Sequence, residues 1–460
     1  MEARSLKYIA EACGGELRHG PGTALVSRVC TDSRQVQAGD LFVALSGEKF
    51  DAHNFLPEVI ARGAAAVLVE AGKVPAKPGR CAVIAVTNPR KAYGLLAARY
   101  RKDFTATVIA VGGSNGKTTT KELIAAVLRE KCRTLASEAS FNNDVGVPAT
   151  LLRLESAHQA AVLEVGTNHP GELAPLIRLI QPQFGVITSI GREHLEFFGD
   201  VAGVAQEEGK LAELLPADGK LFVNADSPEM DRITRRARAT VVRVGLGEGC
   251  DWRATRVKLD DKGTTFNVKA PESIFSGQYR LGLLGRHQVT NGLLALAVAA
   301  ELGLGREEGR RALAGCTPPK MRLQSRDCGG VRLLDDSYNA NADSMRAALQ
   351  TLHDLPCNGR RVAVLGDMAE LGQAAEGAHV EVGKFAAEAG VNRLLAVGRF
   401  AHLVSDAAKR AGLAGASEHA TAEEAAAELK QFVKPGDVVL VKASRSTRLE
   451  RVSEVLQGGG

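Results

Sequence analysis

Aromatic residues are scarce in this chain, at 4% of all residues, and tryptophan occurs once. Proteins that bind single-stranded nucleic acid stack bases on aromatic side chains, so this scarcity argues against such a partner. Neither charge sign dominates, because the formal net charge is only +5 at pH 7. We interpret the densest basic cluster, within residues 232–238, as a solvated helix face, and we expect no nucleic-acid partner.

Long apolar runs and paired cysteines are also missing. No apolar stretch reaches the roughly 20 residues that a membrane-spanning helix needs. The N-terminus lacks the apolar core of a signal peptide. The eight cysteines stand apart without a Cys-x-x-Cys pair, which excludes zinc-ribbon and thioredoxin-like motifs. These absences predict a cytoplasmic protein with reduced thiols and no membrane insertion.

Short apolar runs, glycine-rich turns and amphipathic helices alternate along the 460 residues. This alternation is typical of parallel βαβ units and predicts an α/β fold. At about 150 residues per domain, the length allows three domains. We place their boundaries after a charged segment and at a pair of adjacent prolines, which block helix formation. The predicted domains are residues 1–103, 104–317 and 318–460.

Buried strands are predicted where short apolar runs precede turns. In the central segment these runs are 107–112, 160–166, 184–191, 220–224 and 240–245. Residues 252–284 alternate apolar and polar side chains, which predicts an antiparallel insert. The third segment alternates strands and helices in the manner of a Rossmann-like domain.

The strongest motif, which we call the phosphate loop, follows a predicted strand and opens a helix. It comprises Gly113, Ser114, Asn115, Gly116, Lys117, Thr118 and Thr119. Glycines let the backbone approach a polyphosphate, and the amides of a helix N-terminus favour anions. We expect Lys117 to neutralise phosphate charge and Thr118 to bind Mg²⁺. The motif alone indicates nucleotide binding and is compatible with a kinase, a GTPase-like switch or a ligase.

Two residues at neighbouring strand ends are candidates for a metal site. Glu164 stands inside an apolar run, where a carboxylate is costly unless it is paired or bound to a metal. Because Mg²⁺ prefers hard oxygen ligands, we favour a metal role over a buried ion pair. His194 follows the next strand and is either a metal or phosphate contact or a structural histidine.

Further polar segments stand at predicted element ends. Asn142 and Asn143 lie in a turn before an apolar helix, where side-chain caps are common. Asp336 belongs to an acidic pair between a strand and a helix, and either orients a ligand or caps the helix. The last strand ends in cations and hydroxyls that suit an anion or carboxylate, namely Lys442, Ser444 and Arg445.

Taken together, these segments resemble the Mur ligase superfamily across essentially the whole chain. The resembling motifs are TDSR (31–34), GDLFVAL (39–45), GSNGKTTTKE (113–122), FNNDVGVP (141–148), LEVGTNHPGEL (163–173), DDSYNANADSM (335–345), VLGDMAELG (364–372) and VKASRSTRLE (441–450). VGTNHPGE, DDSYNAN and LGDMAELG resemble the member that adds a dipeptide more than the sister ligases that add single amino acids.

The resemblance implies a three-domain Mur ligase architecture, with a P-loop-type central domain and a Rossmann-like C-terminal domain. The three domains would hold a UDP-sugar-peptide, ATP and the incoming dipeptide, in that order. The implied reaction is ATP-dependent ligation of D-alanyl-D-alanine onto UDP-N-acetylmuramoyl-tripeptide through an acyl phosphate, giving the UDP-muramoyl-pentapeptide precursor of peptidoglycan. It also implies ATP and Mg²⁺ as cofactors and, in our interpretation, a monomer.

The resemblance also implies roles for individual residues. Thr118 and Glu164 would bind Mg²⁺, with His194 as a second metal or phosphate contact. Asn291 would bind adenine, Arg322 the ATP phosphates, and Asp336 would lie near the ribose. Ser33, Arg34 and Ser46, with the loop SGEKFDAHNF (46–55), would face the UDP moiety. Asn142 and Asn143 are further implied substrate contacts, and the residues implied toward the dipeptide are Asn339, Lys442, Ser444 and Arg445.

Three positions depart from the family pattern. Gly112 stands where the family usually has Thr, which we interpret as a looser loop. Ala342 replaces the usual Pro after Asn341. Glu208 occupies the position of a carbamylated Lys that helps to bind a second Mg²⁺, and we hypothesise that its carboxylate replaces the carbamate. The alternatives are a register shift that uses Lys210, or a surface Glu without a role.

Rival functions remain open at this point. Within enzymes, they are a sister ligase that adds a diamino acid and a folylpolyglutamate synthase. Outside this class, they are an ATP-hydrolysing switch protein without ligase activity and a degenerate, non-catalytic homologue. Lys117, Thr118 and Glu164 are intact, which argues against the last of these.

Overall fold

A five-stranded sheet organises the N-terminal segment. The structure, a computed structural model, describes residues 1–47 and 50–458. The elements of this segment are β1 (Arg4–Ser5), α1 (Leu6–Cys13), β2 (Glu16–His19), β3 (Leu25–Val26), β4 (Val29–Cys30), β5 (Leu41–Val43), α2 (Leu56–Ala61), β6 (Ala66–Glu70), β7 (Ala82–Val86) and α3 (Pro89–Arg101). Among the described residues the strand order is β2-β7-β6-β5-β4, and only β2 runs antiparallel to its neighbour.

The central segment forms a sheet that has nine strands in the described chain. Its elements are β8 (Thr107–Gly112), α4 (Lys117–Arg129), β9 (Thr134–Ala136), α5 (Gly146–Leu151), β10 (Ala160–Glu164), α6 (Leu173–Ile180), β11 (Phe184–Ile187), α7 (Leu195–Phe198), α8 (Val201–Glu208), α9 (Lys210–Leu214), β12 (Lys220–Asn224), α10 (Met230–Thr234), β13 (Thr240–Gly245), β14 (Trp252–Asp260), β15 (Gly263–Lys269), β16 (Gly277–Leu281), α11 (Arg286–Glu301) and α12 (Arg306–Gly315). The strand order is β16-β15-β14-β13-β12-β11-β8-β10-β9.

The predicted antiparallel insert is confirmed, and it extends the edge of this sheet. β14 pairs in parallel with β13, whereas β15 and β16 add antiparallel strands. Trp252, the single tryptophan, is buried there, and its ring centroid lies 5.4 Å from that of Phe275. Helix α11 lies against the sheet and against α4, and its apolar residues are almost all buried. This packing supports α4, whose first residues belong to the phosphate loop.

The C-terminal segment is a second mostly parallel sheet with helices around it. Its elements are β17 (Gln324–Cys328), β18 (Val331–Asp335), α13 (Ala342–Asp354), β19 (Arg361–Gly366), α14 (Ala375–Glu388), β20 (Arg393–Val397), α15 (Ala401–Arg410), β21 (Ala416–His419), α16 (Ala422–Phe432), β22 (Val438–Lys442) and α17 (Glu450–Leu456). The order β17-β18-β22-β19-β20-β21 holds for the described residues. Asn341 begins α13 with a capping box, accepting the backbone N–H of Ser344.

The carboxyl ends of β8, β10 and β11 face the carboxyl ends of β18 and β22. In parallel sheets this edge is where ligands bind. The α/β class is confirmed, while the domain boundaries after residues 103 and 317 stay predictions. Within the described residues, no helix has the combined length and apolar character that crossing a membrane requires.

Candidate active site

A polar cavity of about 620 Å³, which we call the cleft, lies between these two sets of strand ends. Residues that the sequence analysis singled out from distant parts of the chain meet on its wall. They are Ser114, Asn115, Gly116, Lys117, Thr118, Thr119, Asn142, Glu164, His194, Asn291, Arg322, Asp336, Asn339 and Lys442. The cleft therefore combines the phosphate loop with side chains of the C-terminal segment.

The other predicted site residues do not line the cleft. They are Ser33, Arg34, Ser46, Gly113, Asn143, Glu208, Ser444 and Arg445. Asn143 is a turn cap, because its Oδ1 accepts the backbone N–H groups of residues 145 and 146. Ser444 Oγ donates to the carbonyl of Ala340, and Arg445 pairs with Glu450 at 3.2 Å. The predicted contact of Ser444 and Arg445 with a dipeptide stays a prediction, and these hydrogen bonds and ion pairs do not support it.

The N-terminal candidates lie on a separate surface. Arg34 is exposed and pairs with Asp32 at 2.8 Å. The hydroxyl of Ser46 donates to Asp51 Oδ1 at 2.9 Å. Residues 48 and 49 of the predicted UDP-facing loop lie outside the described residues. The UDP-binding role of Ser33, Arg34 and Ser46 stays a prediction.

The phosphate loop depends on glycine at two points where the backbone has positive φ. At Gly113, with φ of 111°, an added Cβ would lie 2.6 Å from Thr188 Oγ1. At Gly116, with φ of 87°, it would lie 2.9 Å from Asn291 Oδ1. The loop is thus clamped between the β11 end and α11, and only glycine fits without displacing either. Asn291 lies against the loop, and its predicted contact with adenine stays a prediction.

Lys117 is folded back onto its own loop. Its Nζ donates to the carbonyl oxygens of Gly113 and Ser114 and lies 3.5 Å from Glu193 Oε2. Burial lowers the pKa of Lys117, but attraction to Glu193, Glu208 and Glu164 outweighs it, so that the pKa is raised. The ammonium group is therefore charged and surrounded by carboxylates. A bound phosphate would compete with these carboxylates for the ammonium group.

Glu208 is fully buried beneath the phosphate loop. Its Oε2 accepts the backbone N–H of Gly113 at 2.7 Å. Burial raises the pKa of Glu208 to about 7, against the lowering effect of Lys117. The alternative of a surface Glu without a role is wrong, because its exposed fraction is 1%. Lys210 pairs with Glu213 instead and does not reach the cleft.

Gly112 and Glu208 are sterically coupled. A Cβ at Gly112 would lie 2.9 Å from Glu208 Oε2, which is already bonded to the loop. Our interpretation of Gly112 as merely a looser loop is therefore wrong, because this glycine makes room for the buried carboxylate. Glu208 supports the loop from behind the wall of the cleft, and a direct metal contact for it stays a prediction.

Glu164 presents an unbonded carboxylate oxygen to this region. Its Oε1 accepts from Asn142 Nδ2 at 2.9 Å, whereas Oε2 is buried without a hydrogen-bond partner among the described residues. Burying an oxygen without a partner costs folding free energy unless a cation or a hydrogen-bond donor binds it. Across residues 1–47 and 50–458, however, no three His, Cys, Asp or Glu side chains converge on a common metal position. Any ion here needs oxygens from Thr118, a nucleotide or water as well.

His194 lines the cleft but pairs with the C-terminal segment. Its Nδ1 lies 2.5 Å from Glu370 Oε2, and both residues adopt positive φ. Asp336 behaves similarly, because its Oδ2 accepts from Lys442 Nζ at 2.6 Å. Lys442 is thus paired with Asp336, and its predicted contact with an anion or carboxylate stays a prediction. Arg322 lies 4.0 Å above the Tyr338 ring at the mouth between the two segments.

Sequence reasoning missed several residues on the cleft wall. Glu193 stands directly before His194, and the only local clue was an extra acid beside a candidate ligand. His287 precedes Asn291 by one helical turn, which places both on one face of α11. Tyr338 OH lies 2.5 Å from Ser140 Oγ and joins the two segments. Tyr338 lies in the DDSYNANADSM motif, whereas Ser140 stands one residue before FNNDVGVP.

His287 leads to a prediction about acid stability. Burial lowers the pKa of His287 to about 4, while Asp336 raises it slightly. An unfolded histidine titrates near 6.5, so the folded state binds fewer protons as the pH falls from there toward 4. The contribution of neutral His287 to the free energy of unfolding is therefore fully present above about pH 6.5 and is lost progressively below it. Because the side chain is only half-buried, we expect a loss of about 1 kcal/mol by about pH 5.

Urea unfolding near neutral pH and near pH 5, for the wild type and His287→Gln, measures this loss. The variant should lose less stability than the wild type over the same interval. Equal losses in both proteins would show that other groups dominate the acid response.

Comparison with known proteins supports the geometry. The chain matches models of the Mur ligase middle domain at residues 111–299, the Mur ligase glutamate ligase domain at 321–445 and the Mur ligase family catalytic domain at 25–101. It is 38% identical over 466 residues to UDP-N-acetylmuramoyl-tripeptide–D-alanyl-D-alanine ligase of Escherichia coli, covering 100% of both chains. The Bacillus subtilis enzyme of the same name is 33% identical, with 98% of each chain covered.

Solved structures agree. MurF from Acinetobacter baumannii superposes with a TM-score of 0.91 at 32% identity, covering 100% of this chain and 99% of the other. MurF ligase from Thermotoga maritima in complex with ADP gives 0.83 at 27% identity, covering 94% and 98%. Because full-length relatives exceed 30% identity and three family models match in order, the chain belongs to the Mur ligase family.

Proposed function

We propose that the chain joins D-alanyl-D-alanine to UDP-N-acetylmuramoyl-tripeptide at the expense of ATP. One observation carries this proposal: the cleft unites a phosphate loop with strand ends of the C-terminal segment. An amide-forming ligase needs this arrangement, because a nucleotide and an incoming amine must meet at one carboxylate. The relatives that match along the full chain carry the name of this activity.

The phosphate loop supplies the nucleotide-binding part of the function. The first backbone N–H groups of α4 lie at the N-terminus of a helix of 13 residues, and a helix N-terminus favours anions. Lys117 adds a full positive charge at the same place. Neutralising the phosphates lowers the barrier to phosphoryl transfer mostly through positioning and electrostatics. We assign adenine contact to Asn291 and phosphate contact to Arg322, since both line the same cleft.

The site fits a magnesium ion at Glu164. The orphaned Oε2 of this residue is a hard oxygen without a donor among the described residues, and Thr118 lies on the same wall. Mg²⁺, when bound, would screen the negative charge of the phosphates. We propose Thr118 and Glu164 as its protein ligands.

The chemistry follows from the weak electrophilicity of a carboxylate. Transfer of the γ-phosphoryl group of ATP to the tripeptide carboxylate forms an acyl phosphate and releases ADP. The dipeptide amine then attacks the carbonyl carbon, phosphate leaves, and the amine loses a proton as the amide forms. The protein holds the reactants in register and shields the acyl phosphate from water.

The decisive experiment measures ADP release with Mg-ATP and UDP-N-acetylmuramoyl-tripeptide, with and without D-alanyl-D-alanine. Mass spectrometry of the UDP product completes it. We expect release that needs both partners and a product heavier by the dipeptide. Release that ignores the dipeptide would indicate the ATP-hydrolysing switch, and a product extended by a diamino acid would indicate a sister ligase.

Glu164→Gln tests the proposed metal ligand. The amide is isosteric and can still meet Asn142, but it removes the charge that Mg²⁺ prefers. We expect kcat at saturating ATP to fall by about 100-fold and the Mg²⁺ concentration for half-maximal activity to rise. Glu155→Gln, an exposed carboxylate outside the cleft, is the control. An unchanged Mg²⁺ titration of Glu164→Gln would remove Glu164 from the metal site.

A further inference from the structure

Arg192 joins the central and C-terminal segments through two carboxylates. Its Nη2 and Nε donate to Asp343 Oδ1 at 2.7 and 3.1 Å. Its Nη1 and Nη2 donate to Glu381 at 2.5 and 3.1 Å. The pair with Glu381 uses both carboxylate oxygens, and such bidentate guanidinium–carboxylate pairs fix orientation as well as distance. We call these three residues the clamp.

The backbone of the same loop is part of the contact. The N–H of Arg192 donates to Asp343 Oδ2 at 2.8 Å. The preceding residue, Gly191, allows this approach, because a Cβ there would lie 2.6 Å from the same oxygen. Asp343 is in the first turn of α13, and Glu381 is on α14. Arg192, on one loop of the central segment, therefore binds two helices of the C-terminal segment.

The loop that carries Arg192 carries two further residues of the cleft wall, on which Arg192 itself also lies. Glu193, the next residue, faces Lys117 at 3.5 Å. His194 follows and meets Glu370 of the C-terminal segment at 2.5 Å, with positive φ at both residues. Such backbone conformations persist only where surrounding contacts hold them. The contact of this loop with α13 and α14 therefore affects the position of Glu193, the carboxylate beside Lys117.

We propose that Arg192 is a positioning residue for ligation: its ion pairs with Asp343 and Glu381 hold the C-terminal segment against the loop that presents Glu193 and His194. The proposal rests on the ligase activity proposed above. Arg192 acts through its neighbours on the loop. The clamp residues keep 29%, 38% and 37% of their side-chain surface exposed, so salt should weaken the pairs.

A charge swap tests the clamp. Glu381 does not line the cleft, whereas Arg192 does, so Glu381→Arg is the single variant that leaves the cleft wall unchanged. The set is Arg192→Glu, Glu381→Arg, the double variant with both changes, and the control Glu388→Arg on the exposed side of α14. Like charges placed together in the single variants repel, whereas the double variant restores one opposite-charge pair.

We expect kcat/KM for D-alanyl-D-alanine to fall by about 30-fold in each single variant and to return to within about 5-fold in the double variant. The control should match the wild type. A loss that is unrelated to the pairing of residues 192 and 381 would not be rescued by the swap. Single variants with wild-type kinetics, or a double variant no better than the worse single one, would overturn the proposal.

Small-angle scattering with Mg-ADP provides a readout that does not depend on ligation. The single variants should have a larger radius of gyration than the wild type, and the double variant should recover the smaller value. If the wild type shows no dipeptide-dependent ADP release, the proposed function fails, and scattering alone decides the clamp. Equal radii in all four proteins would then reject it.

Discussion

Replacing Lys117 by alanine is expected to lower kcat by about 1000-fold or more, because the phosphate loop loses its only full positive charge. In the structure the ammonium group is held by loop carbonyls and by Glu193. Without it, Glu193 would face the nucleotide phosphates as an uncompensated negative charge. ADP affinity, measured by calorimetry, should therefore fall together with kcat.

Lys131→Ala is the matched control, since this lysine is an exposed residue just beyond the end of α4, where it bonds the carbonyl of Gly303. Its kinetics should equal those of the wild type. Lys117→Ala activity within tenfold of the wild type would show that the loop amides alone bind the phosphates.

Gly112→Ala is expected to destabilise the folded chain by about 2 kcal/mol, as overpacking of a buried site does. The new methyl group would lie 2.9 Å from Glu208 Oε2 and 3.5 Å from Val165 Cγ2. Glu208 cannot move aside without releasing the N–H of Gly113. The phosphate loop would shift, so ADP affinity should fall by about tenfold as well.

The coupling is measured with Glu208→Ala and the double variant in urea unfolding. Glu208→Ala relieves the clash, so the double variant should lose less stability than the sum of the single changes. Gly377→Ala, on an exposed helix position with no atom near its added Cβ, should be neutral or stabilising. Strict additivity of the two changes would mean that residues 112 and 208 do not share space.

Local patterns predicted the elements well. Strands β8, β12 and β13 begin and end at the predicted residues, because each is a buried apolar run bounded by turn residues. The phosphate loop and its glycines were likewise readable from a short motif. The resemblance to a family supplied Asn291 and Arg322, which no local pattern singles out.

Pairings between distant residues were not predictable. Glu193 and Lys117 are 76 residues apart, and Arg192 is 151 residues from Asp343. Periodicity tells which face of an element is buried, but it carries no information on which charge meets which. For the same reason the pairing of Lys442 with Asp336 was not predictable from the sequence.

Trp252 gives the chain a built-in optical reporter. It is buried against Phe275 in the antiparallel extension of the central sheet and is not on the wall of the cleft. Because no second indole competes with it, intrinsic fluorescence reports on one place in the molecule. Emission should shift to longer wavelength when the central sheet unfolds, and should stay constant when nucleotide or dipeptide binds. Ligand titrations therefore need an added chromophore, whereas unfolding curves need none.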